Sequence, residues 1–170
     1  MSGEGVRVDV VYEERYWYPE DGGAVWIVGY SIVDADSGEF LARDDPALAA
    51  RGLSVAAVAG AARHHAEALA AQDLTPGKRL ILRRDPENPH DPNAIAVDAP
   101  SGDQVGWVPR ELAEELAPEV DRGGPLSAIV LREQRRSPRD PRHGLTMLLA
   151  RAASIELATR ERRRPGARRD

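Results

Sequence analysis

The segment "DPENPHDPNAIAV", residues 85–97, limits the possible folds more than any other stretch of this chain. Its three prolines, Pro86, Pro89 and Pro92, fall within seven residues. Each proline removes a backbone donor and restricts φ, so this segment cannot lie in the middle of a paired strand. We therefore predict a rigid loop between two strands, the first within "RLILRR" and the second within "NAIAVD".

The polar side chains of this loop allow two interpretations. Asp85, Asn88 and Asp91 stand next to the prolines, where Asx side chains can cap turns by accepting hydrogen bonds from backbone amides. His90 and Asp91 lie at the predicted apex, where a rigid loop leaves little conformational entropy to lose on binding. A structural role and a binding role both stay open at this point.

Catalysis and metal binding are less well supported. A metal at His90 would need further ligands from His64, His65 or His143, and no HExxH or similar spacing links these histidines. A catalytic dyad would need a nucleophile, and neither a serine motif nor a glycine-rich phosphate loop occurs. We predict no catalytic residue, no metal and no cofactor, with a metal-binding hydrolase as a remote alternative.

The remaining patterns predict several short strands and few helices. "VRVDVVY" and "AVWIVGYSIV" read as an N-terminal hairpin, and seven of the eight aromatic residues fall in this region. We interpret them as a hydrophobic sheet face rather than a base-stacking platform. "QVGWVP" predicts a strand and "PRELAEELAPEV" a helix with Leu112, Leu116 and Val120 on one face. Two aliphatic stretches, residues 124–134 and 143–157, predict strands around a polar loop.

One stretch is ambiguous. In residues 53–74 the alanine content and the periodicity favour a long helix, whereas Val55, Val58 and Gly60 permit a strand followed by a helix. Together, the predicted elements suggest a small barrel or curled sheet.

Charge and composition exclude some functional classes. The net charge of −5 argues against a protein that holds nucleic acid over a broad basic surface, so any such contact must be local. No cysteine, signal peptide or long apolar run is present, which predicts a soluble cytoplasmic protein without membrane contact. Lys78 is the single lysine, and this arginine bias hints at a GC-rich bacterial genome. The ending "RERRRPGARRD" predicts a disordered tail, with a phosphate-binding arm as the alternative.

Two motifs in sequence identify a family resemblance. "PGKRLILRRDPENPHDPNAIAV" followed by "GDQVGWVPRELAEELA" strongly resembles the HIRAN domain, over about residues 53–157. The resemblance implies a mainly β, α+β fold: a small OB-like or SH3-like β-barrel, here with an N-terminal β-hairpin extension. It also implies that residues 55–60 form a strand, against the helical periodicity. We divide the chain into an aromatic-rich β extension at 1–45, the HIRAN-like domain at 53–157 and the tail at 158–170.

The resemblance also implies a function and a site. In eukaryotic fork-remodelling translocases the HIRAN domain is known to capture the 3′ end of single-stranded DNA. The resemblance therefore implies a role in DNA repair or replication-fork processing and leaves open a helicase or nuclease as partner. By the motif, His90 would stack on a base, Asp91 would accept a hydrogen bond from the terminal hydroxyl, and Arg110 would lie near a phosphate. Three further residues complete the expected nucleic-acid site: Trp107, Arg63 and His64.

This sequence departs from the family pattern after Gly60, where Ala61 replaces the usual aromatic residue. We therefore expect weak DNA binding with a shallow salt dependence. The alternative function is a protein-interaction module, in which the aromatic N-terminal sheet docks a partner and the proline-rich loop is only structural.

Overall fold

The structure is a computed structural model that describes residues 4–20, 22–71 and 73–161. The described residues form nine strands: β1 (Gly5–Trp17), β2 (Val25–Ile32), β3 (Leu53–Ala57), β4 (Arg79–Arg84), β5 (Ile95–Asp98), β6 (Gln104–Trp107), β7 (Ser127–Arg135), β8 (Gly144–Ala150) and β9 (Ser154–Thr159). They also form four helices: α1 (Pro46–Ala50), α2 (Ala61–His64), α3 (Ala66–Ala71) and α4 (Arg110–Asp121).

Six of the strands form a small barrel. Antiparallel pairing runs in the order β3, β8, β7, β4, β5, β6. Ala59, just after β3, then forms a bridge with Trp107 at the end of β6, with backbone hydrogen bonds of 2.8 and 2.9 Å. This bridge joins the two ends of the series, and the interior is filled by buried aliphatic side chains such as Val97, Val105 and Met147. The predicted fold class, mainly β with flanking helices and a small OB-like barrel, is confirmed.

The N-terminal hairpin lies over the outside of this barrel. β1 pairs antiparallel with β2 and parallel with β9, while β2 pairs with the second half of β7. Val8 and Val10 of β1 are fully buried against Leu131 and Leu148, which face outward from the barrel strands. The hairpin therefore shares both a sheet and a second hydrophobic core with the barrel.

The expectation of a long helix in residues 53–74 is wrong. β3 occupies its beginning, paired residue by residue with β8, and α2 and α3 are short. Gly60 separates strand from helix because its φ of 72° lies in the left-handed region, which favours glycine. Here the family resemblance, which implied a strand, gave the better prediction. Residues 143–157 also differ from expectation, since they form two strands, β8 and β9, instead of one.

The end of the chain is only partly described. β9 extends to Thr159, so the first two residues of the expected tail belong to the sheet, and residues 162–170 lie outside the described residues. The division into 1–45, 53–157 and 158–170 stays a prediction. No helix among the described residues is long and apolar enough to span a membrane.

Candidate nucleic-acid interface

The proline-rich segment is a loop between β4 and β5, as predicted, and Asn88 organises it. The Oδ1 atom of Asn88 accepts hydrogen bonds from the backbone amides of His90 at 2.9 Å and Asp91 at 3.1 Å. The base of the loop is closed by two backbone bonds, from the Asp85 amide to the Ala94 carbonyl at 2.9 Å and from the Ala94 amide to the Asp91 carbonyl at 3.1 Å. The apex is thus held from within.

Arg84, the last residue of β4, ties the loop to helix α4. Its Nη1 donates to the Ala94 carbonyl at 2.8 Å, while Nε and Nη2 donate to the two carboxylate oxygens of Asp121 at 2.9 and 3.1 Å. The pKa of Asp121 is lowered, mainly by the hydrogen bond from Arg84. Because the guanidinium spans the loop base and the last residue of α4, it sets their relative position.

The wall opposite the loop is built by β6 and the residues after β3. Gly106 allows this close approach: a Cβ at this position would lie 2.5 Å from the carbonyl oxygen of Ala59 and 2.5 Å from Cγ1 of Val58. The next residue, Trp107, takes part in the bridge that closes the barrel, and its indole stays partly exposed. Barrel closure therefore places an aromatic ring beside the loop.

These elements enclose one cavity of about 260 Å³. It brings together four of the six predicted site residues, His90, Asp91, Trp107 and Arg110, the last at the first turn of α4. The sequence had not indicated the other wall residues as site residues: Ala59, Asn88, Ala94 and Val108. Of these, Asn88 carried a signal, because an Asx residue before a proline is a typical turn cap.

Asp91 is both a cap and a free acceptor. Its Oδ1 accepts a hydrogen bond from the Asn93 amide at 2.9 Å. Within the described part of the chain, no donor bonds to Oδ2. The carboxylate thus caps its own turn and still offers one oxygen to a ligand.

The other two predicted site residues lie outside the cavity. Arg63 and His64 are exposed on α2, and His64 lines a separate depression together with His65, Glu67 and Asp103. His64 is still near Trp107, since a Cβ at Gly60 would lie 3.4 Å from a ring carbon of each. His64 therefore borders the site. Among the described residues, no three histidine, aspartate or glutamate side chains are grouped as a metal site.

The chain matches the model of one known protein family. The HIRAN domain family model matches residues 52–143, which is 92 of the 170 residues. The chain belongs to the HIRAN domain family. HIRAN domains are nucleic-acid-binding modules, so nucleic-acid binding is the general function that membership supports.

Individual relatives agree with the HIRAN assignment. The chain is 50% identical over 42 residues to the helicase-like transcription factor of Oryctolagus cuniculus and 52% identical over 42 residues to that of Homo sapiens. Each match covers 25% of this chain and 4% of the relative, so the chain spans only a small part of these proteins.

Two solved structures are also similar. The HIRAN domain of human HLTF matches with 27% identity and a TM-score of 0.40, covering 58% of this chain and 76% of that domain. A Lactobacillus plantarum protein matches with 21% identity and a TM-score of 0.41, covering 56% of this chain and 91% of that one. The six predicted site residues lie inside the HIRAN match, whereas the β1–β2 hairpin lies outside it.

Proposed function

We propose that this HIRAN domain binds single-stranded DNA and captures its 3′ end in the cavity between the β4–β5 loop and α4. The observation that carries the proposal is the second carboxylate oxygen of Asp91, which has no donor among the described residues and belongs to a cavity wall. A carboxylate repels phosphate, so the free oxygen of Asp91 suits a ligand group that donates a hydrogen bond. The free 3′-hydroxyl of a strand is such a group.

The other cavity walls suit the rest of a terminal nucleotide. The imidazole of His90 and the indole of Trp107 offer ring faces on which any base can stack. Arg110 lies at the N-terminal end of the 12-residue helix α4, where the helix dipole also favours an anion. A base, a phosphate and a terminal hydroxyl would each find a matching partner.

The test compares strands that differ only at their 3′ terminus. Labelled single strands ending in 3′-hydroxyl or 3′-phosphate are titrated with the wild type and with Asp91→Asn, which keeps the Oδ1 acceptor for the Asn93 amide but removes the charge. We expect the wild type to prefer the 3′-hydroxyl by at least about tenfold, which corresponds to one charge-assisted hydrogen bond, and the variant to lose that preference. Glu114→Gln is the control, because it also removes one negative charge but at an exposed position of α4 outside the cavity. Equal affinity of the wild type for both ends would refute end capture.

The wider role of the domain is also a proposal. Because the matched relatives are named helicase-like transcription factors, we propose a helicase as the partner. The nuclease alternative and the role in DNA repair or replication-fork processing come from the HIRAN resemblance. We expect such an enzyme to co-purify with the wild type and not with Asp91→Asn.

A second candidate function, a protein-interaction module, is favoured by the exposed aromatic rings of the hairpin. Tyr12, Tyr16 and Tyr18 are 52%, 46% and 72% exposed, and the rings of Tyr16 and Tyr18 stack with centroids 6.3 Å apart. Deleting residues 1–45 would not test this, because β2 pairs with β7 and β1 covers the second core. Tyr16→Ser with Tyr18→Ser is the appropriate variant: loss of a captured partner with unchanged DNA affinity would support this function.

A further inference from the structure

Three arginine side chains lie around the sheet face where β1, β2 and β7 are adjacent. Gly29 of β2 pairs with Arg132 of β7 on one side and with Glu13 of β1 on the other. Arg15 lies on the same face of β1, two residues further along the strand. Arg43, from the segment before α1, reaches this region and donates from Nη2 to the Val55 carbonyl at 3.3 Å. We call these three residues, Arg15, Arg43 and Arg132, the arginine cluster.

The arginine cluster carries an excess of positive charge. The pKa of Arg132 is lowered, first by burial and then by the charges of Arg15 and Arg43, while Glu13 acts in the opposite direction. Among the described residues, no ion pair within 4.0 Å includes a member of the cluster. Arg132 instead donates from Nη1 to the Tyr30 carbonyl at 2.9 Å. Like charges held together repel each other, and an anion bound among them would relieve this repulsion.

A track of small side chains connects the cluster with the cavity. Ala59 lines the cavity, and Ala57, two residues earlier, points to the same face of the sheet. Ala57 pairs with Thr146, which pairs in turn with Arg132. From strand geometry, the distance from Ala59 to Arg132 along this track is about 15 Å, or a few nucleotides of an extended strand. Because Ala57 is exposed and Thr146 is partly exposed, the track is open to solvent.

A second depression runs from Arg43 to the start of α4. It includes Pro109, the neighbour of the cavity residue Arg110. This depression is a poor route for a phosphate backbone, because three carboxylates line it: Asp44, Asp45 and Glu111. The track over the small side chains has no such charge, and it is the route that an anionic strand would follow.

We propose that the arginine cluster binds the phosphate backbone of a single strand upstream of the nucleotides held in the cavity. This inference rests on the proposed function, since it takes the end of the strand to lie at Asp91. Trp17, 57% exposed and on the same face as Arg15, extends this surface with a ring on which a base can stack. Arg15 and Arg43 lie outside the HIRAN match, so the cluster adds a contact that the matched region alone does not provide.

The test uses the full chain and strands of two lengths: about three nucleotides, too short to reach the cluster, and about twelve, within the range of single-strand site sizes. Affinities are measured by fluorescence anisotropy over a salt series for the wild type and for Arg15→Gln with Arg43→Gln. Both side chains are exposed, so the fold should persist, and thermal unfolding checks this. The matched control is Arg7→Gln with Arg122→Gln, two exposed arginines elsewhere. Arg7 lies about 27 Å from Arg15 along β1.

We expect the wild type to bind the longer strand more tightly than the shorter one. The Arg15→Gln, Arg43→Gln variant should lose about tenfold in affinity for the longer strand at low salt and show a salt slope shallower by about 1.4, the value for two lost phosphate contacts on a single strand. Its affinity for the shorter strand should stay unchanged, and Arg15→Lys with Arg43→Lys should retain most of the binding because the charges remain. The control variant should bind both strands as the wild type does.

Several outcomes would overturn the inference. The wild type could bind both strand lengths with equal affinity, or the glutamine variant could bind the longer strand as tightly as the wild type does. The control variant could also lose as much affinity as the glutamine variant. The two proposals fail separately: indifference to the 3′ terminus refutes end capture, whereas indifference of the longer strand to Arg15 and Arg43 refutes the cluster. Absence of binding by the wild type at either length refutes both.

Discussion

The side-chain oxygen of Asn88 accepts a hydrogen bond from the backbone amide of Asp91 at 3.1 Å. A second bond, from the His90 amide at 2.9 Å, reaches the same oxygen. The two residues that form the apex of the loop are therefore oriented by a third residue that contributes no charge to the cavity. Loop rigidity in this protein thus depends on a side chain as well as on its prolines.

Replacing Asn88 by alanine should loosen this apex. We expect Asn88→Ala to lower the free energy of unfolding by about 1–2 kcal/mol, because two amides lose their acceptor. Hydrogen exchange at the amides of His90 and Asp91 should accelerate, and DNA affinity should fall. Asn93→Ala is the control, since only the backbone amide of Asn93 bonds to Asp91. Unchanged exchange at both amides in Asn88→Ala would contradict this account of the loop.

Trp107 should contribute affinity without base selectivity. Its indole borders the cavity, and stacking on an aromatic platform contributes about 1–3 kcal/mol per base. We expect Trp107→Ala to weaken binding of homopolymeric and mixed strands by similar factors, measured by anisotropy. Trp26→Phe, on the face of the hairpin opposite Arg15 and Trp17, should leave affinity unchanged. A loss confined to one base type would argue for hydrogen-bonded base recognition instead of stacking.

Gly106 should be needed for barrel closure. A methyl group there would lie 2.5 Å from the Ala59 carbonyl oxygen, so the bridge between Ala59 and Trp107 must shift. We expect Gly106→Ala to destabilise the fold by about 1–3 kcal/mol, the range for overpacking, and to reduce DNA affinity together with stability. Gly23→Ala, at a site with open space around it, is the control. Denaturant unfolding of both variants measures the difference, and equal stability would contradict the proposed closure.

The ion pair between Arg84 and Asp121 should make stability sensitive to acid. The pKa of Asp121 is lowered in the folded protein, chiefly by the hydrogen bond from Arg84, so the unfolded chain takes up the proton first as the pH falls. This contribution is present above the unfolded pKa of about 3.9 and is lost as the pH falls through the lower folded value. Asp121→Asn should therefore show a flatter decline in stability below about pH 4 than the wild type.

Chemical denaturation at several acidic pH values checks this prediction. Glu114→Gln removes a carboxylate from an exposed position of the same helix and should keep the slope of the wild type. An identical slope in the wild type and Asp121→Asn would show that the pair contributes nothing measurable to acid stability.

Much of the fold could be predicted because local chemistry determines it. The prolines at 86, 89 and 92 exclude a strand wherever they stand, and the spacing of Leu112, Leu116 and Val120 makes the residues after Pro109 a helix. Residues 53–57 could not be assigned this way. Their strand is determined by pairing with β8, about ninety residues later in the chain, and this partner outweighs the local preference of alanine for helix.

The candidate site, like the fold, was predicted in part from the sequence and decided in part by the tertiary structure. By itself the sequence determined the rigid loop, the presence of His90 and Asp91 at its apex, and the two motifs that mark a HIRAN domain. Only the tertiary structure decided that Trp107 meets this loop, that Arg84 fixes it to α4, and that His64 stays at the border. The arginine cluster likewise combines positions 15, 43 and 132, which belong to separate segments of the chain. The physical reason is that hydrogen bonds and charges depend on distances in space. Strand pairing and barrel closure set those distances, and the separation of residues in the sequence does not reveal them.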